Sequence, residues 1–149
     1  MTLAIFSFLL LMPLADQGVS ETPFGNKRWV VVSSTISPAL DVNGDGKPDS
    51  DLMILTQACE KDDSEQYSED GTIITFRGKL KCEEDEEDEE ETGTWSYDAK
   101  TKTLTVHRYE SRRPVVTKVV SISPQQIELS GQHKSAKGVH TIKTVLRAK

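Results

Sequence analysis

Hydrophobic positions along this chain recur with period two. From Thr72 to Cys82 the even positions Thr72, Ile74, Phe76, Gly78, Leu80 and Cys82 alternate with the polar Thr75, Arg77, Lys79 and Lys81. That alternation predicts a strand with one buried face and turns Cys82 inward. A hairpin turning at Glu69-Asp70-Gly71 is expected to join it to a strand around Ser64–Ser68. Arg28 to Ile36 is rich in Val and Thr, with Val30, Val32 and Ile36 on one face. Thr92–Tyr97 alternates Gly93, Trp95 and Tyr97, and Lys102–Tyr109 sets Leu104 and Val106 on one side. Val115–Ile122 is largely β-branched and ends at Ser123-Pro124. Gln125–Ser130 groups Ile127 with Leu129 and stops at Gly131, and Gly138–Arg147 alternates His140, Ile142 and Leu146. Only Leu52–Gln57 is ambiguous, being able to form one helical turn.

About eight short strands separated by turn residues predict an all-β fold, an antiparallel meander closed into a barrel or folded into a sandwich. Closure removes exposed edges, and an eight-stranded barrel has an interior filled by side chains or holding one small ligand.

The N-terminus stands apart. Leu3–Ala15 is an apolar run broken by Pro13, too short for the ~20 residues that span a bilayer. Its length suits a signal-peptide core, and Gly18-Val19-Ser20 offers small residues for cleavage before Glu21. The usual positive flank is missing, since Lys27 is the first basic residue. The expected organisation is a signal peptide over 1–20 and a single domain over 21–149, exported to the periplasm, cell surface or medium. No transmembrane segment is expected.

Cys59 and Cys82 are the only cysteines, so an oxidising compartment leaves one connectivity. Two free thiols or a redox pair are the alternatives, although the spacing is far from CxxC.

The formal net charge of -6 is concentrated in one place. Residues Glu83–Glu91 are nine consecutive acids, and outside them 15 acids stand against 18 Lys and Arg. Like charges in such density repel and stay solvated, so a disordered loop between strands is expected. Weak Ca²⁺ collection or docking to a basic partner are the sharper alternatives. No basic stripe interleaved with aromatics is present, and nucleic acid is not an expected partner.

The most specific motif is Asp41-Val-Asn-Gly-Asp-Gly-Lys-Pro-Asp49, followed by Ser50 and Asp51. Asp41, Asn43, Asp45 and Asp49 place side-chain oxygens at relative positions 1, 3, 5 and 9, and Lys47 offers a backbone carbonyl at 7. Hard oxygens at this spacing suit a structural Ca²⁺ with Gly46 at the sharp turn, and Asp51 acting directly or through water. The loop resembles those of dockerin modules and calcium-binding propeller repeats. It departs from a full EF-type loop, because position 12 is Leu52 rather than a bidentate acid. Asn-Gly and Asp-Gly are also good turn formers, so a purely polar turn is the plain alternative.

Catalytic signatures are lacking. His107, His133 and His140 are dispersed without zinc spacing, and neither GxSxG nor SxxK occurs. His107 is expected in solvent and His140 as a satisfied core or cavity histidine.

The order of short motifs carries a resemblance. Lys27-Arg28-Trp29, the Asp-rich loop, Asp51-Leu52 and Ala58-Cys59-Glu60-Lys61-Asp62-Asp63 come first. Glu69-Asp70-Gly71-Thr72, Lys81-Cys82, Thr92-Gly93-Thr94-Trp95-Ser96 and Lys102-Thr103-Leu104-Thr105-Val106 follow. Together they are similar to the bacterial lipocalin-like domain family of small exported β-barrels. The resemblance implies an up-and-down, lipocalin-like barrel and, by analogy, a small apolar ligand; fold alone does not establish function. Ile74, Phe76, Trp95, Tyr97 and Leu104 are the candidate ligand-lining residues. The expected function is non-catalytic ligand binding by an exported barrel with a calcium loop. The alternative is a calcium-stabilised module with a filled barrel that presents loops to a protein or glycan.

Overall fold

The computed structural model describes residues 23–149, so the expected signal segment 1–20 lies outside the described residues. Nine strands and one short 3-10 turn at Leu52–Leu55 make up the regular structure of the described residues. The strands are β1 (Arg28–Leu40), β2 (Asp49–Asp51), β3 (Ser64–Tyr67), β4 (Thr72–Phe76) and β5 (Glu89–Asp98). β6 (Thr103–Arg108), β7 (Val115–Ile122), β8 (Gln126–Ser135) and β9 (Gly138–Ala148) follow.

Every pairing is antiparallel, in the order β2-β1-β3-β4-β5-β6-β7-β8-β9, and β1 also pairs with β9. That last pairing closes eight strands into a barrel and leaves β2 as an extra strand on β1. β1 can serve three partners because it is long. Its first residues meet β3 (Trp29↔Glu65), its last meet β2 (Leu40↔Asp49), and Trp29 to Ser37 run along β9. The all-β barrel expected from the alternation is the architecture observed.

The interior divides along its length. Phe24, Trp29, Tyr67, Ile73, Trp95, Leu104, Val119, Ile127, Leu129 and Leu146 form one apolar cluster, with Tyr97, Val106 and Ala148 against it. Phe24 enters from before β1 and plugs this end. Its ring lies 5.3 Å from those of both Tyr67 and Trp95, which are edge-on to each other. The indole N–H groups stay satisfied within the core: Trp29 Nε1 donates to the Phe24 carbonyl and Trp95 Nε1 to that of Ser68. Gly93 is required where β5 pairs with β6, because a Cβ there would run into the His107 carbonyl.

Two strand expectations need correction. β4 ends at Phe76, six residues before Cys82, and its inward residues are the odd ones: Ile73 is fully buried and Thr75 nearly so. Ile73 pairs with Tyr67 on one side and Gly93 on the other, whereas Ile74 and Phe76 are only partly buried. The Phe76 ring lies on the outer face beneath Arg28, whose guanidinium carbon is 3.5 Å from its centroid. The Ile73-Ile74 doublet puts an aliphatic side chain on both faces, so alternation alone could not fix the phase. Cys82 is exposed in the loop beyond the strand rather than facing inward. β8, expected to stop at Gly131, continues through it to Ser135.

The corrected phase has a direct test. Ile73→Ala should cost about 3 kcal/mol in urea unfolding, as for a buried aliphatic leaving a cavity. Ile74→Ala should cost no more than about 1 kcal/mol. The reverse order would place the strand in the other phase.

Candidate functional site

Where the apolar cluster ends, the interior turns polar and opens. A cavity of about 740 Å³ sits at this mouth of the barrel. Its floor is Trp29, with paired hydroxyls above. Ser34 Oγ and Thr144 Oγ1 are 3.2 Å apart across β1 and β9, and Thr75 and Thr92 are 2.8 Å apart across β4 and β5. Irregularities in β1 between Val31 and Ser33, and between β4 and β5 at Ile73/Ile74, shift the register as each strand passes from core to mouth.

Two arginines organise the wall. Arg108 of β6 pairs with Glu65 of β3, and its Nη1 donates to Thr92 Oγ1 at 3.1 Å. Glu65 also accepts from the buried Tyr67 hydroxyl at 3.2 Å. Burial, then the charge of Glu65, pushes the Tyr67 phenol far above its ordinary range, so it remains a neutral donor. Arg77, just beyond β4, reaches Asp63 at 3.2 Å, Glu90 at 3.2 Å and Glu86 at 3.7 Å. Its guanidinium is held above its ordinary value by these carboxylates, although burial opposes them. Arg77 Nε is buried without a hydrogen-bond partner.

The rim is built from two connections. Leu52, Met53, Thr56, Glu60 and Lys61 come from the segment between β2 and β3; Glu86 comes from the loop between β4 and β5. Cys59 and Cys82 join these connections in a disulfide with Cα atoms 5.3 Å apart. Asp63 and Asp62 add a second tie by accepting the backbone N–H groups of Gly78 (2.6 Å) and Lys79 (2.9 Å).

The acidic run therefore differs from the expected disordered loop. β5 begins inside it at Glu89, and Glu86 is half-buried, accepting the Cys82 N–H at 2.8 Å. Glu86, Glu90 and Glu91 line the cavity. Strand pairing with β4 and the charge of Arg77 hold these acids in place against their mutual repulsion.

The five apolar lining candidates lie elsewhere. Trp95 and Leu104 belong to the filled core, Tyr97 packs against it, and Ile74 and Phe76 are off the inner face; none lines this cavity. Repeated hydroxyl and charged residues at inward positions, such as Thr75, Thr92 and Arg108, were the available signal for the mouth. They read as solvent-facing in a one-strand pattern.

The Asp-rich loop sits apart from the mouth, between β1 and β2. Asp41 accepts the N–H groups of Gly44 at 2.7 Å and Gly46 at 2.9 Å, Asn43 that of Asp45 at 3.0 Å and Asp45 that of Lys47 at 2.8 Å. Asp49 accepts from Val42, and Asp51 from Met53 at the start of the 3-10 turn. Gly44 and Gly46 have φ of +78° and +86°, which lets the loop curl around Asp41. The donors are hard oxygens of the kind Ca²⁺ prefers. Among the described residues, no three His, Cys, Asp or Glu side chains converge as a metal cage.

His140 is the satisfied buried histidine expected. Its Nδ1 lies 2.7 Å from the Pro38 carbonyl and its Nε2 2.9 Å from Ser135 Oγ, while Ser135 Oγ accepts the Lys137 N–H. Neither Ser135 nor His140 lines the cavity, so this pair is a hairpin brace. His107 is exposed.

Replacing both cysteines with serine should lower unfolding stability by about 3 kcal/mol. Hydrogen exchange should accelerate in residues 52–63 and 77–88 while the barrel strands stay protected. Equal acceleration throughout the barrel would mean that the disulfide supports the whole fold rather than the rim.

Comparison with protein-family models, curated proteins and solved structures gives no match to this chain, so its functional reading rests on the geometry above.

Proposed function

We propose that this chain is an exported, non-catalytic, lipocalin-like binding protein that holds one small ligand in the open half of its barrel. The observation that carries this reading is the 740 Å³ cavity at the mouth of a closed barrel whose other half holds the buried apolar cluster. A volume of this size lies within the range of small-molecule sites. The filled core supplies stability, which leaves the mouth free to be shaped for recognition. Export draws support from the disulfide, which persists in oxidising compartments. Among the described residues no helix is long and apolar enough to cross a membrane, which is compatible with it.

The loop after β1 is proposed as a structural Ca²⁺ site. Asp41, Asn43, Asp45, Asp49 and Asp51 would contribute side-chain oxygens and Lys47 its carbonyl. The ion would cross-link the loop and supply no chemistry to the cavity. The left-handed Gly44 and Gly46, which bring Gly46 N–H onto Asp41, support the assignment.

A second reading, an interaction module, draws on Val115, Val116 and Val120 of β7, all more than half exposed. It does not account for the cavity.

Native mass spectrometry of protein isolated without chelator should give a small-molecule adduct, abolished by filling the mouth with Thr144→Trp. An adduct-free protein whose spectrum is indifferent to that variant would overturn the binding reading. Separately, saturating Ca²⁺ should raise the thermal midpoint by about 10 °C over chelated protein at a concentration ~100 times the Kd. Asp41→Asn with Asp45→Asn should remove the rise, and an unchanged midpoint in the parent protein would sink the calcium assignment.

A further inference from the structure

The charge balance of the mouth points to the class of ligand. Seven carboxylates line the cavity against three cationic side chains, Lys61, Arg77 and Arg108. Both arginines are already engaged: Arg108 by Glu65, and Arg77 by Asp63, Glu86 and Glu90. An anionic ligand would have to displace these pairs and enter a field of its own sign. Glu60, Glu91 and Glu110 have no cationic partner among the described residues. Glu91 accepts a hydrogen bond from the Tyr109 hydroxyl. Glu86, Glu90 and Glu91 of the acidic run all line it, and a cleft with an excess of one sign of charge concentrates oppositely charged solutes.

The cavity is more than a collection of acids. Trp29, Val31, Leu52 and Met53 give it an apolar side able to cover a short carbon skeleton. Among the described residues no three of these carboxylates converge, and carboxylates set apart along a wall suit an extended organic cation.

We infer that the ligand of the barrel mouth is a small organic cation, an ammonium or guanidinium group on a short carbon skeleton. The uncompensated carboxylates Glu60, Glu91 and Glu110 on the cavity wall balance its charge, and its skeleton lies against Trp29 and Met53. This inference rests on the binding reading above and adds the ligand's charge and shape.

Calorimetric titration of the intact, disulfide-bonded chain with three carbon-matched probes tests it: hexamethylenediamine, hexanediol and adipate. The diamine should bind in one-to-one stoichiometry, about tenfold more weakly after Glu91→Gln with Glu110→Gln, and more weakly again at high ionic strength. Hexanediol and adipate should give no saturable heat. If adipate or hexanediol binds as tightly as the diamine and Thr144→Trp abolishes it, the cation inference falls while the binding reading stands. Diamine binding that survives both Thr144→Trp and the double Gln variant would be surface association with the acidic run, and would overturn the inference. No binding of any probe, together with a small-molecule adduct in the native mass spectrum, would also overturn the inference alone. If that adduct is absent too and the spectrum is indifferent to Thr144→Trp, the binding reading falls with it.

Discussion

The antiparallel pairing of β1 with β9 is the contact on which the rest of the molecule depends. It runs from Trp29↔Ala148 to Ser37↔Thr141 and converts an open meander into a closed barrel. Without it, both terminal strands would present a row of unpaired N–H and C=O groups. With it, the inward residues of eight strands face a common interior, and the plugging Phe24 is held beside the strand that closes the ring. A core of this size is available to so short a chain because closure buries one face of every strand at once.

Closure also defines two compartments. At one end the interior is packed with aromatic and aliphatic side chains, tied by edge-on ring contacts and two satisfied indole donors. At the other, hydroxyl pairs and ion pairs replace hydrocarbon. Buried polar groups are tolerable only when they are partnered, and most here are: Thr75 with Thr92, Ser34 with Thr144, Arg108 with Glu65 and Thr92. The connections that cross above the mouth are long and rich in charge. The disulfide and the Asp63–Arg77 pair tether them, so that loops which would otherwise repel form a rim.

That arrangement gives the acidic run a physical role that composition does not suggest. Nine consecutive acids in isolation would be expected to extend into solvent. Here the last three continue as β5 and pair with β4, and Arg77 neutralises part of the charge. Glu90 and Glu91 thus lie both in a paired strand and on the cavity wall.

Much of the architecture was legible from local pattern. Period-two alternation reported the strands, Asp70-Gly71 the β3–β4 hairpin, and Ile127, Leu129 and Leu146 inward positions of the core. The two cysteines admitted a single pairing once an oxidising compartment was assumed. These features depend on residues close in sequence or on counting, and so survive without coordinates. The phase of β4 did not, because Ile73 and Ile74 are adjacent and only the register with Tyr67 and Gly93 selects the inward one. Nor did the cavity. Arg77, Arg108, Glu65 and Thr144 lie on four different segments and look like ordinary surface residues in each. Only closure brings them to one mouth, since the side-chain period tells which residues share a face but not which face becomes the inside of a barrel.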